Sequence, residues 1–364
     1  VSGVGSEERA VETSAVFSTP AAGAAVAAVA AVRAHRRRRL VLVLVAGILV
    51  AIAIAFVALS LGAAAVTPDR VLVTLLGFGD DRDRLVVFRL RLPRIVAALV
   101  VGAAFALAGA IFQSVLRNPL ASPDILGVSG GASLGAVFAI LGLGLGGAAV
   151  AGFAFAGGFA VALVIWLAAW KQGLHGVRFV LVGVGMAYVS GAAVAWLLAR
   201  SDVRQAQQTL MWTVGSVADV RGAELWIATG VIGALAVAVA LVAPRLAPLS
   251  TGDDRARSLG VGVDATRIVL LVLAVTLVAS ATSVAGPVAF VALVAPAIAR
   301  RLTADGSPAL AVSVVIGATL TLAADVVGQF ALPGVTAPVG IVTGLVGAPY
   351  LLWLLARTER SARA

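Results

Sequence analysis

From Ile125 to Trp170 the chain runs 46 residues without one ionisable side chain, and Leu40 to Gly62 does the same over 23. A water-soluble globule has no place for such runs, because its helices return a polar face to solvent every turn or two. Lipid accepts them whole. About 20 apolar residues cross a bilayer core, and the 364-residue chain is 61% hydrophobic, with a mean hydropathy of +1.08. That supply fills about ten spans. The expected fold class is therefore all-α: a polytopic membrane protein of about ten transmembrane helices.

Because an ionised side chain in the bilayer costs several kcal/mol, charge-free stretches place the spans. The first is Leu40 to Gly62 and the second Ile95 to Leu116, with Pro68 to Leu76 between them as a short interfacial helix. The run Ile125 to Trp170 must hold two helices, turning at Gly142 to Gly147, where helix breakers are densest. Phe179 to Ala199 and Leu225 to Val242 follow. The run Ile268 to Ala299 is interrupted over Ser280 to Pro287, giving a seventh helix and a short eighth, Val288 to Ile298; Pro308 to Val327 and Pro338 to Ala356 complete the set. The expected organisation is a basic cytoplasmic tail, 1–39, mobile over 1–35, whose stretch Ala21 to Val32 is too short to cross; a transmembrane domain, 40–357; and a short tail, 358–364.

The 27 basic residues exceed the 17 acidic ones by ten. In a membrane protein such an excess holds cytoplasmic loops inside, and no aromatic residues interleave with the arginines as a nucleic-acid platform requires. Ten spans put both termini in the cytosol with Arg117, Lys171, Arg178, the segment 245–267, Arg300 and Arg301. Two outward segments break the rule: 67–94 carries six arginines and 200–224 carries three, each mixed with acids. Arg33 to Arg39 before an apolar run has the order of a secretory signal, but Leu40 to Gly62 is too long for one. With no cysteine and only His35 and His175, disulfides, thiolate zinc sites and iron–sulfur clusters are excluded, and no bound cofactor or metal is expected.

Small residues such as Gly102, Gly109, Gly183, Gly185 and Gly191 suit close helix packing in lipid. Other segments carry more information. Arg91-Leu92-Pro93-Arg94, then Gln113-Ser114, then Arg117-Asn118-Pro119 through Ser122-Pro123-Asp124 to Gly127-Val128-Ser129-Gly130-Gly131, form a block dense in polar and helix-breaking residues. It resembles the signature of FecCD-type permeases, the membrane subunits of ATP-driven importers for ferric siderophores, haem and vitamin B12. Three further blocks resemble the same family in the same order: Thr251-Gly252-Asp253-Asp254-Arg255-Ala256-Arg257-Ser258-Leu259-Gly260, Ala285-Gly286-Pro287 to Pro296, and Pro338-Val339-Gly340 with Gly347-Ala348-Pro349. The likeness covers nearly all of 40–357 and is greatest to the ferric enterobactin branch, in Ser114 to Gly127, Gly252-Asp253-Asp254 and Leu322 to Asp325.

The polar segment 245–267 holds a possible short helix, Arg255 to Leu259, capped at Gly260. The resemblance implies that Gly252, Asp253, Asp254, Arg255, Ala256, Leu259 and Gly260 form a coupling loop for a separate ATPase. This chain has no GxxxxGK[ST] loop with which to bind ATP itself. The resemblance also implies that Arg91 and Arg94, presented at the outer mouth of the second helix by Pro93 at its start, receive an extracytoplasmic binding protein. Arg70, Arg82 and Arg84 are expected to snorkel to headgroups. Implied partners are a second permease subunit, of a different sister chain, two ATPase subunits, the binding protein and a ferric siderophore; the location is the cell membrane. The path is implied at the dimer interface, along the fifth, eighth and tenth helices.

Asp325 is the one acid of the ninth span, and an intramembrane carboxylate is a functional or structural feature by default. Gln113 and Asn118 are expected to bond neighbouring helices. Departures from the family pattern are Ala297 after Pro296, Thr336 in place of a glutamate, and Gly328 where an arginine is frequent; the last removes a third docking arginine. Haem or cobalamin transport on the same scaffold is an alternative. So is an ion-coupled transporter, for which Asp325 is the lone carboxylate candidate, while an integral-membrane enzyme lacks any cluster of acids or histidines in the spans.

Overall fold

The computed structural model describes residues 20–364 apart from 63, 65, 125, 171–175, 251, 332, 333 and 364, and only the backbone at 20–26, 176, 177, 250 and 354–363. The expectations for the tail 1–19, Lys171, His175 and Thr251 lie outside the described residues.

Helix α1 (Pro20–Ser60) is 41 residues long, about 61 Å at 1.5 Å per residue and twice the hydrocarbon thickness. The expected boundary at 39/40 is thus not a break in secondary structure. Alanine and arginine are both good helix formers, so the turn from apolar to basic sequence changes the solvent and not the backbone. After α2 (Pro68–Leu75) comes α3 (Asp81–Val115), which starts well before Ile95. Asp80 opens it by accepting the Asp83 N–H at 2.7 Å. The helix passes through π-wound Leu85–Arg91 and continues as α-helix from Leu92. Pro93 therefore lies inside the helix and not at its start; the wider winding before it makes room where proline disrupts the usual ladder. Charge-free runs mark the bilayer, and α3 shows that they do not mark helix ends.

The pair α4 (Val128–Gly142) and α5 (Ala148–Ala169) turns where expected. Next come α6 (Gly176–Ala199), α7 (Val203–Val214) and α8 (Gly222–Val242). The polar sequence of α7 hid it from a reading based on charge. A short helix α9 (Asp253–Ser258) precedes α10 (Val263–Ala285). Helix α10 passes through Ser280 unbroken; the interruption comes later, at Gly286 (φ +69°) and Phe290 (φ +65°). In consequence α11 (Val291–Thr303) starts three residues later than expected and holds Arg300 and Arg301 in its last turn. Helices α12 (Leu310–Phe330) and α13 (Val339–Arg363) end the chain.

Among the described residues, seven helices are long and apolar enough to cross a membrane. Helix α4, the Val339–Trp353 part of α13 and the 13-residue α11 bring the set to the expected ten. Helix α3 is the hub. It is buried along most of its length and packs against α8, α10, α11 and α12. At its crossing with α12, a Cβ on either Gly102 or Gly317 would collide with the other helix's backbone, the close approach that small residues permit in lipid. Helix α1 lies outside the bundle against α12, with Leu42, Leu49 and Ile52 exposed.

Candidate functional site

On the cytoplasmic side, residues 252–260 form a fastened loop with a free face. Gly252 (φ +121°) and Gly260 (φ +78°) bracket α9 in backbone conformations that disfavour any side chain. Asp253, at the first turn, accepts Arg117 Nη2 at 2.7 Å and Arg267 Nη2 at 2.8 Å. Partial burial alone would raise the carboxyl's pKa, but the Arg267 hydrogen bond and the charges of Arg267 and Arg117 outweigh it and hold it below the ordinary value. Arg117 also donates to the Leu249 carbonyl at 2.5 Å, and Ala256 is fully buried. With its base held this way, α9 turns Asp254, Arg255 and Arg257 outward, and Leu259 beside them is 67% exposed. Leu259 thus stands as an exposed apolar side chain among Asp254, Arg255 and Arg257. The expected helix at Arg255 starts two residues earlier, and Gly260 follows it as expected.

Toward the outer ends of α1, α3 and α12, the structure joins residues that were considered separately. Arg94 Nε and Nη2 grip both oxygens of Asp325 at 2.8 to 3.2 Å, and Gln329 Nε2 donates to Asp325 Oδ2 at 2.7 Å. Asp325 is 2% exposed and the Arg94 side chain 24%. Arg91 donates to the carbonyls of Leu59 and, at 2.6 Å, Ala64, tying the end of α1, whose last carbonyls lack helical partners. Arg70 was expected to snorkel; instead it closes on Asp80 and, at 2.8 Å, on Asp83, while Arg84 donates to the Gly77 carbonyl. Four of the six outward arginines of 67–94 are thus absorbed by nearby acids and carbonyls, while Arg82 and Arg89 stay exposed.

Gln113 bridges helices as expected. Its Nε2 donates to the Leu293 carbonyl at 3.2 Å, and its Oε1 accepts Arg300 Nη2 at 2.6 Å. Asn118 does not reach a neighbouring helix: its Oδ1 accepts the Leu120 N–H at 2.9 Å, closing its own turn. Two features escaped the sequence reading. Arg117 and Arg267, which mount α9, are 136 and 14 residues from Asp253, and neither spacing is a pattern. Asp124, in the loop between α3 and α4, is the other; burial pushes its carboxyl up to about 6, against the lowering effect of the Ser129 hydroxyl bond. Its Oδ2 has no partner.

The FecCD transport family profile matches residues 49–357. The chain belongs to that family. It is 38% identical over 299 residues to the ferric enterobactin transport system permease protein FepG of Escherichia coli (strain K12), covering 82% of this chain and 91% of that one. To the iron(3+)-hydroxamate import system permease protein FhuG of Bacillus subtilis (strain 168) it is 37% identical over 312 residues, covering 83% and 93%. A solved inward-facing ABC transporter of metal-chelate type superposes with a TM-score of 0.78 at 27% identity, over 86% of this chain and 98% of the other. As a FecCD permease the chain is a multi-pass membrane subunit without ATP-hydrolysing chemistry of its own. At 328, where the resemblance leads one to expect an arginine, the backbone leaves no room for a side chain. A Cβ on Gly328 would collide with the Ala337 carbonyl, and the Ala337 N–H is bonded to the Gly328 carbonyl at 2.8 Å.

Proposed function

We propose that this FecCD permease carries a ferric siderophore of catecholate or related type, paired with a sister permease and driven by two ATPase subunits, one of them docked on α9. The observation that carries the reading is the mount of α9: Asp253 pinned by two arginines, Ala256 buried, and Leu259 left bare on the cytoplasmic face. In this reading ATP binding moves α9, and α10 and α3 follow through Arg267 and Arg117. ATP stays with the partner, and this chain binds no cofactor.

At the other face, Arg91 and Arg94 are the proposed seat of the extracytoplasmic binding protein. A guanidinium has five N–H donors. The bonds to Asp325 use Nε and Nη2 of Arg94, and those to Leu59 and Ala64 use Nη1 and Nη2 of Arg91. Nη1 of Arg94 and Nε of Arg91 are left for an acid on the incoming protein. The path runs between the two permeases along α6, α11 and α13, where Leu181, Tyr188, Leu345 and Val346 are exposed. Similarity to permeases named for enterobactin, hydroxamate, Fe(3+)-citrate and achromobactin supports an iron siderophore, and a hemin permease at 35% identity keeps haem as the alternative cargo.

The test is reconstitution of the complex with Arg255→Glu and Leu259→Glu variants. A carboxylate introduced into the contact and left unpaired there costs about 2 kcal/mol or more, so association with the ATPase should weaken at least about thirtyfold while thermal stability stays unchanged. ATP-driven uptake of a ferric catecholate should fall with it. Intact coupling in both variants would remove α9 as the docking element.

A further inference from the structure

We propose that α1 carries a binding site for an anionic phospholipid of the cytoplasmic leaflet, where Arg33, Arg37 and Arg38 overhang Val41 and Leu42. These residues and Ala34 form one open face of α1. Arg33, Arg37 and Val41 follow at four-residue spacing, as do Ala34, Arg38 and Leu42, so two adjacent rows of the helix change from cationic to apolar within one turn. A phospholipid has the same order, phosphate first and acyl chain after it.

Five arginines fall within Arg33 to Arg39, and all are exposed. Arg39 is engaged, donating from Nε to the Leu302 carbonyl at 2.8 Å. Among the described residues Arg33, Arg36, Arg37 and Arg38 have no acidic partner, and like charges a turn apart on a helix repel. Arg39's bond brings the cluster against the end of α11. Among the described residues no carboxylate pairs with these four arginines. An anion from outside the chain does.

The neighbouring turns of α1 set which side of this face meets lipid. Leu40, Val43 and Leu44 pack on Ala299, Ala309 and Val312, while Leu42, Val45 and Leu49 of the same turns stay exposed toward lipid. Arg37 and Arg38 stand one turn toward the cytosol from that stripe, at headgroup level. A cationic cluster directly cytoplasmic of a span attracts anionic lipid by about 1 kcal/mol per arginine. Continuity with the lipid-facing stripe favours a lipid over an acidic protein surface, and the apolar turn at Val41 and Leu42 favours a lipid over free phosphate.

The experiment takes the full chain, purified with its partners and delipidated, and counts retained phosphatidylglycerol and phosphatidylcholine by native mass spectrometry. Wild type should prefer phosphatidylglycerol, less so at high salt. Replacing Arg33, Arg37 and Arg38 together by Gln should lower that preference by about fivefold per arginine, roughly a hundredfold in all, while the three corresponding Lys replacements should keep most of it. If the triple Gln variant does not fold, Arg37→Gln alone should show the single fivefold step. An undiminished preference in the Gln variants would overturn the site. So would displacement of the lipid by excess inorganic phosphate, which would make it a phosphate site, or loss of the ATPase with lipid retention unchanged, which would make it a protein contact.

Discussion

Asp325 and Asp253 are both carboxylates gripped by arginine, one in the bundle near its outer side and one on the cytoplasmic loop, and their settings differ in what can replace a lost partner. Asp325 is 2% exposed and takes its hydrogen bonds from Arg94 on α3 and Gln329 on its own helix. The Asp253 side chain is 33% exposed and is shared by Arg117 and Arg267. Water can stand in for either arginine at the loop. Nothing can at Asp325. The buried pair fastens two helices to each other, whereas the loop pair fastens a mount and leaves the neighbouring side chains free to meet another protein.

The comparison breaks most visibly at Asp325. Asp325→Ala leaves the Arg94 guanidinium without its counter-ion, and breaking a buried pair from one side costs about 3–5 kcal/mol. The quarter of Arg94 still exposed places this case near the lower end. Thermal unfolding of the purified chain should shift down by several degrees. Joint replacement, Arg94→Met with Asp325→Leu, should recover most of the loss, because no charge is then left unpaired. A double variant as unstable as the single one would show that the pair is not what holds α3 to α12. The same variant bears on ion coupling, since a carboxylate committed to an arginine is a poor carrier for a coupling ion.

Much of this was legible in the sequence, and the parts that were not share a cause. The span number followed from bilayer thickness, and the turn at Gly142 to Gly147 from local backbone chemistry. The role of Arg94 as a partner for Asp325 was not legible, because the two lie 231 residues apart and become neighbours only when Gly102 and Gly317 let α3 and α12 touch. The early start of α3, the length of α10 and the presence of α7 were missed for another reason: charge reports where lipid ends, while the backbone keeps its helical bonds past that point. At α9 the reading came closest, since Gly260 and the charge pattern are local signals, yet the two arginines that mount it are not.

Asp124 sharpens the comparison as a carboxylate with no cationic partner among the described residues. Its pKa of about 6 lies above the unfolded value of 3.8, so its ionised form weighs against the fold. That penalty is complete above pH 6 and disappears as pH falls toward 4. Two pKa units correspond to about 2–3 kcal/mol. Asp124→Asn keeps an acceptor for the Ser129 hydroxyl and should stabilise the chain at pH 7 by up to that amount. The wild-type melting temperature should rise between pH 7 and 5 relative to the variant's. Parallel pH profiles would mean that Asp124 has a partner in solution.

Asp253 should give the smallest effect and the opposite sign. Its folded pKa lies below the ordinary carboxylate value, so its contribution is present above about pH 4 and is lost only as pH falls through the lowered pKa. Between pH 7 and 5 it adds no slope, which separates it from Asp124 in the same titration. Arg267→Gln removes one of two cations from a carboxylate that water reaches and that keeps Arg117, so the loss should stay near the upper end of the range for surface pairs, about 1 kcal/mol. Global melting should therefore hardly move, while amide hydrogen exchange across 253–260 speeds up as the mount loosens. If Arg267→Gln instead lowers the melting temperature as far as Asp325→Ala does, the loop is part of the bundle's core and cannot move separately to couple anything.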